Sequence, residues 1–202
     1  NIGSSTWAPC TAPIGRFGAA FLPLLSHFTP FNGRDAFVQL PAMNPDFSAG
    51  VTIAARVRFI RFHSWSRILD LGNGEAKQNI LLALRSDSRR LTLQVFNDQG
   101  SMTELVSTVD LPQYEWVHVA AVIQPDGAAR LYFDGAEVAS GKMDLPPSVL
   151  RRSNYIGKSN WPDPFFCGEM DHVRLYTSVL SGAAIKQLAQ AGDFRRGTLQ
   201  KS

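Results

Sequence analysis

Short strand-like segments separated by turn sequences recur along most of this chain. Apolar and polar residues alternate most clearly in Val51–Phe62, and a period of two indicates a strand with one buried and one solvated face. Asp134-Gly135 joins two such segments and is a strong hairpin signal, because a type I′ turn requires positive φ at both positions. Further strands are predicted at Phe37–Leu40, Arg67–Leu71, Asn79–Leu84, Arg89–Asn97, Glu104–Val109, Trp116–Gln124, Ala128–Phe133, Ala136–Lys142, Tyr155–Lys158 and Gly168–Tyr176.

One helix is predicted, close to the C-terminus. Ser181 can cap its first turn, Ile185 and Leu188 line one face together with Ala189, and Gly192 ends it. Many short strands and a single helix, without strand–helix–strand alternation, predict an all-β fold. We expect a β-sandwich of two antiparallel sheets with one short C-terminal helix.

The 202 residues show no internal repeat and no linker that would divide them. Residues 1–27 are irregular, and their apolar stretch Phe17–Leu25 is predicted either to supply a strand or to cover a sheet edge. The sandwich itself is expected over residues 28–193. Residues 194–202 are predicted to form a flexible basic tail.

Composition excludes some classes of partner. The formal net charge of +3 is too small to indicate a nucleic-acid-binding protein. No apolar run approaches the ~20 residues of a membrane helix, so membrane insertion is not expected. The sequence pI of about 9.1 is compatible with an acidic polysaccharide or an anionic cell surface as partner. The start at Asn1 without a leader is no evidence for a cytoplasmic location.

The chain has two cysteines, Cys10 and Cys167. No Cys/His spacing indicates a zinc site. The two residues either form a disulfide that ties the N-terminal segment to the last sheet region, or remain as two buried free thiols. A disulfide would imply an oxidising compartment.

Several motifs, in a fixed order, resemble those of one family. They are FNGRDAFV (residues 31–38), SRILDLG (66–72), WVHVA (116–120), LYFDG (131–135), IGKSNW (156–161) and FCGEMDHVRLY (166–176), followed by LSGAAI (180–185). Together they resemble the laminin-G-like jelly-roll domains of the concanavalin A-like superfamily. The resemblance implies a concanavalin A-like jelly roll, and Trp116 is expected to be an anchor of its core.

The resemblance also implies a structural calcium ion. Its ligands here would be the backbone carbonyl of Gly33, the side chain of Asp35 and the carboxylate of Asp171, and oxygen ligands of this kind suit calcium. His172 departs from the family pattern, which places a second acid there. The alternative is that Asp35 and Asp171 make only turn and strand-end hydrogen bonds.

Two predicted loops carry the residue types of a carbohydrate site, in which an aromatic ring is paired with polar groups that fix the sugar hydroxyls. One contains His63 and Trp65, and the other contains Trp161 and Asp163 between prolines. We predict these four residues as ligand contacts. The alternative for Trp161 is that it packs over the sandwich edge.

Catalysis is tested against the glycoside hydrolases of the same superfamily, which carry E-x-D-x-x-E on one strand as nucleophile and general acid. Glu169 and Asp171 match the first two acids, but Arg174 occupies the third position. His118, between two valines, reads as a sheet histidine rather than the base of a polysaccharide lyase. The chain is therefore not expected to be an enzyme.

The resemblance favours a non-catalytic module that binds carbohydrate and belongs to a larger secreted or cell-surface protein. Its partner would be a glycan or an extracellular protein. The first alternative is a protein–protein interaction or spacer module without a sugar site. The second is a glycoside hydrolase or polysaccharide lyase.

Overall fold

The computed structural model describes residues 21–191, which form a sandwich of two antiparallel sheets. This confirms the predicted fold class. In chain order the elements are β1 (Phe21–Leu25), β2 (Thr29–Asn32), β3 (Val38–Leu40), β4 (Val51–Arg61), β5 (Arg67–Gly72), β6 (Ile80–Leu84), β7 (Arg90–Phe96), β8 (Met102–Asp110), β9 (Trp116–Ile123), β10 (Ala128–Phe133), β11 (Ala136–Lys142), β12 (Ser153–Ile156), β13 (Cys167–Tyr176) and α1 (Gly182–Ala191).

The first sheet has the order β1-β13-β4-β9-β10-β11, and β2 also pairs with β13. Strands β1 and β2 lie one after the other along the same edge of β13. The second sheet has the order β3-β12-β5-β6-β7-β8. Since the strands of each sheet come from both halves of the chain, strand pairing brings together loops that are distant in sequence.

The core lies between the two sheets and follows the predicted alternation. In β4 the residues Val51, Ile53, Ala55, Val57 and Phe59 all belong to it. Phe59 is fully buried against Phe166, with ring centroids 4.6 Å apart. Burial of one Phe side chain contributes about 1.5–3 kcal/mol, so this pair is a strong anchor.

The prediction that Trp116 anchors the core is wrong. In β9 the residues Val117 and Val119 face the core, so the period of two directs Trp116 to the outer face. There it is half-buried, with the Arg56 guanidinium 4.8 Å from its ring centroid. The motif around Trp116 shows that it lies in a strand but not which way its side chain faces.

Helix α1 confirms the predicted cap and buried face. The Ser181 hydroxyl accepts a hydrogen bond from the Ala184 amide at 3.2 Å. Ile185 and Leu188 are buried in a small second cluster with Ala54 and Ala120, on the outer face of the first sheet. The helix therefore covers part of that face.

The edge strand β1 (Phe21–Leu25) pairs with β13, so the described part of the stretch Phe17–Leu25 supplies a strand, one of the two predicted alternatives. Residues 1–20 and 192–202 lie outside the described residues, and Cys10 is among them. Cys167 is half-buried and has no disulfide partner within residues 21–191, and the disulfide with Cys10 stays a prediction. No helix in residues 21–191 is long and apolar enough to cross a membrane.

Candidate functional site

The two loops predicted to carry a ligand site meet beside strand β5 of the second sheet. The loop between β4 and β5 holds His63 and Trp65, and the loop between β12 and β13 holds Trp161 and Asp163. His63 Nδ1 lies 3.1 Å from the Phe165 carbonyl oxygen and joins the loops directly. The structure therefore brings together all four predicted ligand contacts.

Arg67, the first residue of β5, connects the two tryptophans. Its guanidinium carbon lies 5.8 Å from the Trp65 ring centroid and 5.5 Å from that of Trp161. The same guanidinium donates to the Trp65 carbonyl and, at 2.8 Å, to Asp163. Arg67 is only 3% exposed, so its charge is held by π faces and hydrogen bonds rather than by water.

Arg85 extends this arrangement toward solvent. Its guanidinium carbon lies 5.3 Å from the Trp65 centroid, and the Trp65 amide donates to the Ser86 carbonyl at 3.2 Å. We call Arg85, Trp65, Arg67 and Trp161 the arginine–tryptophan stack. Guanidinium groups stacked on aromatic rings keep their edge N–H donors available for other partners.

A buried carboxylate fixes the second loop beneath the stack. Asp70 is fully buried in β5 and accepts hydrogen bonds from the Asn160 amide (2.8 Å), the Asn160 side chain (2.7 Å) and the Asn79 side chain (2.9 Å). Burial raises the pKa of Asp70, and the hydrogen bonds from Asn160 and Asn79, with the nearby Arg67 charge, oppose that rise. Burial likewise lowers the pKa of Arg67, while Asp163 and Asp70 oppose the change.

Asp163 is held on its other side as well. Its carboxylate accepts from the Ser159 hydroxyl at 3.0 Å, and that hydroxyl accepts from the Trp161 amide at 3.0 Å. The loop that presents Trp161 is thus tied to β5 through both Asp70 and Arg67. A site held in this way is largely preformed, which reduces the entropy lost on ligand binding.

The stack covers the outer face of the second sheet. Leu81 and Ala83 in β6 and Thr92 and Gln94 in β7 are at most 4% exposed although they lie on that face. Trp161 packs on Phe96 with centroids 5.4 Å apart. The tryptophans therefore have a structural role, and the surface open to a ligand consists of their exposed parts and the polar groups beside them.

Those polar groups include an ion pair that the sequence analysis missed. Arg85 Nε lies 2.9 Å from Glu104 Oε1, and Glu104 also accepts from Thr92 (3.0 Å) and Gln94 (2.7 Å). The alternation in β7 and β8 was a visible signal that these side chains share one face, but their position beside Trp65 depends on the sheet order.

Arg67, Asp70 and Asn160 also build the site, although they were not predicted as site residues. All three lie in motifs quoted for the family resemblance, where Arg67 and Asp70 were read as strand residues. A charged residue at each end of the otherwise apolar run Arg67–Asp70 was the available signal, because buried charges require partners.

The three predicted calcium ligands do not converge. Strand β2 pairs with β13 so that Asn32 lies opposite Cys167 and Thr29 lies opposite Met170. Gly33 and Asp35 follow Asn32, whereas Asp171 lies at the other end of this pairing. Asn32 and Asp171 are thus separated by about 13 Å along β13, at ~3.3 Å per residue, while calcium–oxygen distances are about 2.3–2.6 Å.

Both aspartates instead make local contacts. Asp35 accepts from the Asn32 side chain at 2.7 Å, within a turn capped by Asn32. Asp171 lies 2.7 Å from Nδ1 of His172, a residue with φ of 52° at a β-bulge. No group of three or more acidic, His or Cys side chains in residues 21–191 is placed to hold a metal. These residues do not fit a common calcium site.

The acids that match part of the hydrolase motif lie on β13. Glu169 forms an ion pair with Arg58 on the neighbouring strand β4. His118 has its pKa lowered from 6.5 to about 4, by burial and then by Arg174 and Arg56, so it is neutral at pH 7.

Two open depressions lie away from the stack. One of about 410 Å³ is lined by residues around Asp126 and Lys142–Leu145. The other, of about 330 Å³, lies between β1 and the segment Met43–Pro45. Neither is lined by a residue of the arginine–tryptophan stack.

Comparison with known proteins supports the fold. Residues 32–186 match the family model Laminin_G_3, described as the concanavalin A-like lectin/glucanases superfamily. No curated protein sequence matches the chain significantly. Among solved structures, it is similar to domain 4 of an extracellular GH43 arabinanase from Geobacillus stearothermophilus, in complex with arabinotriose. That match has 19% identity and a TM-score of 0.63, and it covers 87% of this chain and 90% of that domain.

Two further solved structures are similar. The botulinum neurotoxin serotype G binding domain matches at 10% identity with a TM-score of 0.62, over 88% of this chain and 47% of that domain. A heptameric SAP-like pentraxin from Limulus polyphemus matches at 14% identity with a TM-score of 0.57, over 80% of each chain. Identities this low establish a shared fold. The chain spans about half the length of the neurotoxin binding domain.

Proposed function

Since the chain belongs to the concanavalin A-like lectin/glucanase superfamily, we propose that it is a non-catalytic carbohydrate-binding module of a larger extracellular protein. The observation that carries this proposal is the arginine–tryptophan stack with its flanking polar groups. Two loops about a hundred residues apart in sequence converge there, and their geometry is held by a buried ionic network. Rigid aromatic and polar groups of this kind are what a sugar site requires.

The exposed chemistry of the surface suits a sugar. Trp65 and Trp161 are half-buried, while Arg85 and Asp163 add a charged donor and a charged acceptor. The Arg85 side chain is 44% exposed and that of Asp163 is 22% exposed. An open surface with several such contacts implies weak binding at one site, which multivalent presentation would strengthen.

The solved structures support an extracellular role by analogy. The arabinanase domain comes from an extracellular enzyme and was solved with arabinotriose, and the neurotoxin domain is a binding domain. Both are parts of larger proteins. Because fold does not determine function, this analogy supports the proposal only alongside the site itself.

The acids on β13 favour a non-catalytic role. A retaining glycosidase requires two carboxylates about 5–5.5 Å apart and free to react. Glu169 is instead bound to Arg58, and the third position of the motif is Arg174. We therefore assign Glu169 to structure.

A second candidate function is protein–protein interaction through the outer face of the first sheet. Phe28 is 56% exposed there, with its ring centroid 6.2 Å from that of Trp116. Exposed aromatic residues are enriched at protein interfaces. This surface lies on the opposite sheet from the stack, so substitutions at different residues can test the two functions separately.

A glycan-array screen followed by calorimetry tests the first proposal. Trp161→Phe removes the indole N–H and part of the ring while keeping an aromatic side chain over the sheet. Trp116→Phe makes the same change on the opposite sheet and is the matched control. We expect binding to a related set of glycans, weakened at least about fivefold, or ~1 kcal/mol, by Trp161→Phe and unchanged by Trp116→Phe.

A folded protein that binds no glycan on the array would overturn the carbohydrate proposal. Equal losses in the two variants would place the site elsewhere. Loss of protein capture in a Phe28→Ser variant would then favour the interaction module.

A further inference from the structure

The net positive charge of the chain does not come from the residues around the candidate site. The formal net charge of the whole sequence is +3. Residues 1–20 and 192–202 contain four basic residues, Arg16, Arg195, Arg196 and Lys201, and one acidic residue, Asp193. These account for the entire excess, so residues 21–191 carry equal numbers of acidic and basic side chains. The pI is therefore no argument for an acidic ligand at the stack.

The charges around the stack are paired one with another. Arg67 is bound to Asp163 at 2.8 Å and lies 3.9 Å from Asp70. Arg85 is bound to Glu104 at 2.9 Å. Every arginine of the stack thus has a carboxylate partner, and an anionic ligand would meet Asp163 and Glu104 as well as the two guanidinium groups.

The Arg85–Glu104 pair combines unused donors on Arg85 with a carboxylate oxygen of Glu104 that has only Arg85 as a partner among the described residues. Arg85 uses Nε for Glu104, and no residue in 21–191 accepts from its two terminal nitrogens. Glu104 Oε1 accepts from both Thr92 and Gln94, whereas Oε2 contacts only Arg85 among the described residues. The side chains of Arg85 and Glu104 are 44% and 20% exposed.

The pair is also held in position. Thr92 and Gln94, which fix Glu104, are at most 4% exposed. Arg85 rests on Trp65 and precedes a tight turn closed by the bond from the Ser88 amide to the Arg85 carbonyl, 3.1 Å. A donor and an acceptor fixed side by side next to an aromatic ring form a specificity element.

We propose that Arg85 and Glu104 read two neighbouring hydroxyl groups of a neutral sugar, a proposal that rests on the carbohydrate-binding function above. A hydroxyl group both donates and accepts, so one hydroxyl donates to Glu104 Oε2 while the next accepts from Arg85. A carboxylate or sulfate group only accepts, and it would face the charge of Glu104. The preferred ligands are therefore neutral polysaccharides with vicinal hydroxyls, and uronic acid or sulfated polymers are disfavoured.

A glycan array holding neutral, uronic acid and sulfated oligosaccharides tests the ligand class. We expect the bound set to be neutral, with affinities that change little between low and high salt because no net charge is neutralised. A bound set that requires carboxylate or sulfate groups overturns this inference and leaves the carbohydrate-binding function intact. An array with no bound glycan overturns both.

Two variants test the residues with the best neutral ligand from the array. Glu104→Gln and Arg85→Lys each keep similar size, and we expect each to weaken binding at least about tenfold, or ~1.4 kcal/mol. Glu104→Gln is also expected to reduce the ratio of the affinity for the neutral sugar to that for its uronic acid counterpart, because it removes the charge that repels a carboxylate. Thermal unfolding establishes that each variant is folded.

The matched controls lie on the other sheet. Arg130 and Glu137 form an ion pair at 3.3 Å with side chains 37% and 45% exposed. Arg130→Lys and Glu137→Gln make the same chemical changes far from the stack and are expected to leave binding unchanged. Unchanged binding in Glu104→Gln and Arg85→Lys, or equal losses in the controls, overturns the assignment.

Discussion

Removal of Arg67 is expected to destabilise the domain strongly, because this residue holds the two site loops together. Arg67→Met keeps much of the aliphatic stem but removes the hydrogen bond to the Trp65 carbonyl, the ion pair with Asp163 and the stacking on two tryptophans. Loss of one partner from a buried ion pair costs about 3–5 kcal/mol. The lower end applies here for two reasons. Asp163 is 22% exposed and can be solvated, and Asp70 keeps its hydrogen bonds from Asn160 and Asn79.

Asp163→Asn tests the same pair from its other side. The variant loses the negative charge that offsets the desolvation of the buried Arg67 guanidinium, but it can keep the hydrogen bond from Ser159. We therefore expect its free energy of unfolding to fall by about 1–2 kcal/mol. The two residues contact each other, and their effects should therefore not add. The double variant is expected to cost at least about 1 kcal/mol less than the sum of the single variants.

Urea denaturation followed by tryptophan fluorescence measures all three free energies of unfolding. A cost of about 3 kcal/mol corresponds to a decrease in Tm of roughly 6–12 °C for a domain of this size. Costs for Arg67→Met below about 1 kcal/mol, or strict additivity with Asp163→Asn, would refute the view that Arg67 supports the stack.

Three further predictions concern other parts of the chain. The pKa of His118 is lowered from 6.5 to about 4, so the unfolded chain takes up this proton first as the pH falls. Stability should decrease by up to about 3 kcal/mol between those pH values, and His118→Gln should remove that part of the pH dependence in urea titrations. Gly157 has φ of 78°, and an added Cβ would lie 2.6 Å from the Phe31 ring. Gly157→Ala should therefore cost about 2–4 kcal/mol, and a cost below about 1 kcal/mol would contradict the packing described. Millimolar calcium is expected to leave Tm unchanged relative to EDTA, because a bound ion would raise it by linkage and the predicted ligands do not converge.

The alternation of apolar and polar residues along the chain determines much of the fold by itself. The predicted strands lie within two residues of their observed bounds, because the period of two reports directly which positions face a core. The Ser181 cap and the Ile185–Leu188 face of α1 were confirmed for a similar reason, since cap and periodicity are local properties.

Tertiary structure decided the rest. Alternation places two sets of residues on opposite faces of a strand but does not say which face is covered. For this reason the sequence did not predict that Trp116 lies outside the core or that Arg67 and Asp70 are buried. The calcium prediction depended on the register between β2 and β13, which separates Asp35 from Asp171. The candidate site depended on the order β12-β5-β6-β7-β8, which places Trp161, Arg67, Arg85 and Glu104 on one surface. Strands β5 to β8 pair in chain order, so the alternation within them indicated that Glu104 shares a face with Thr92 and Gln94. The approach of Trp161 to Arg67 was not visible in the sequence, because it depends on the long-range pairing of β12 with β5.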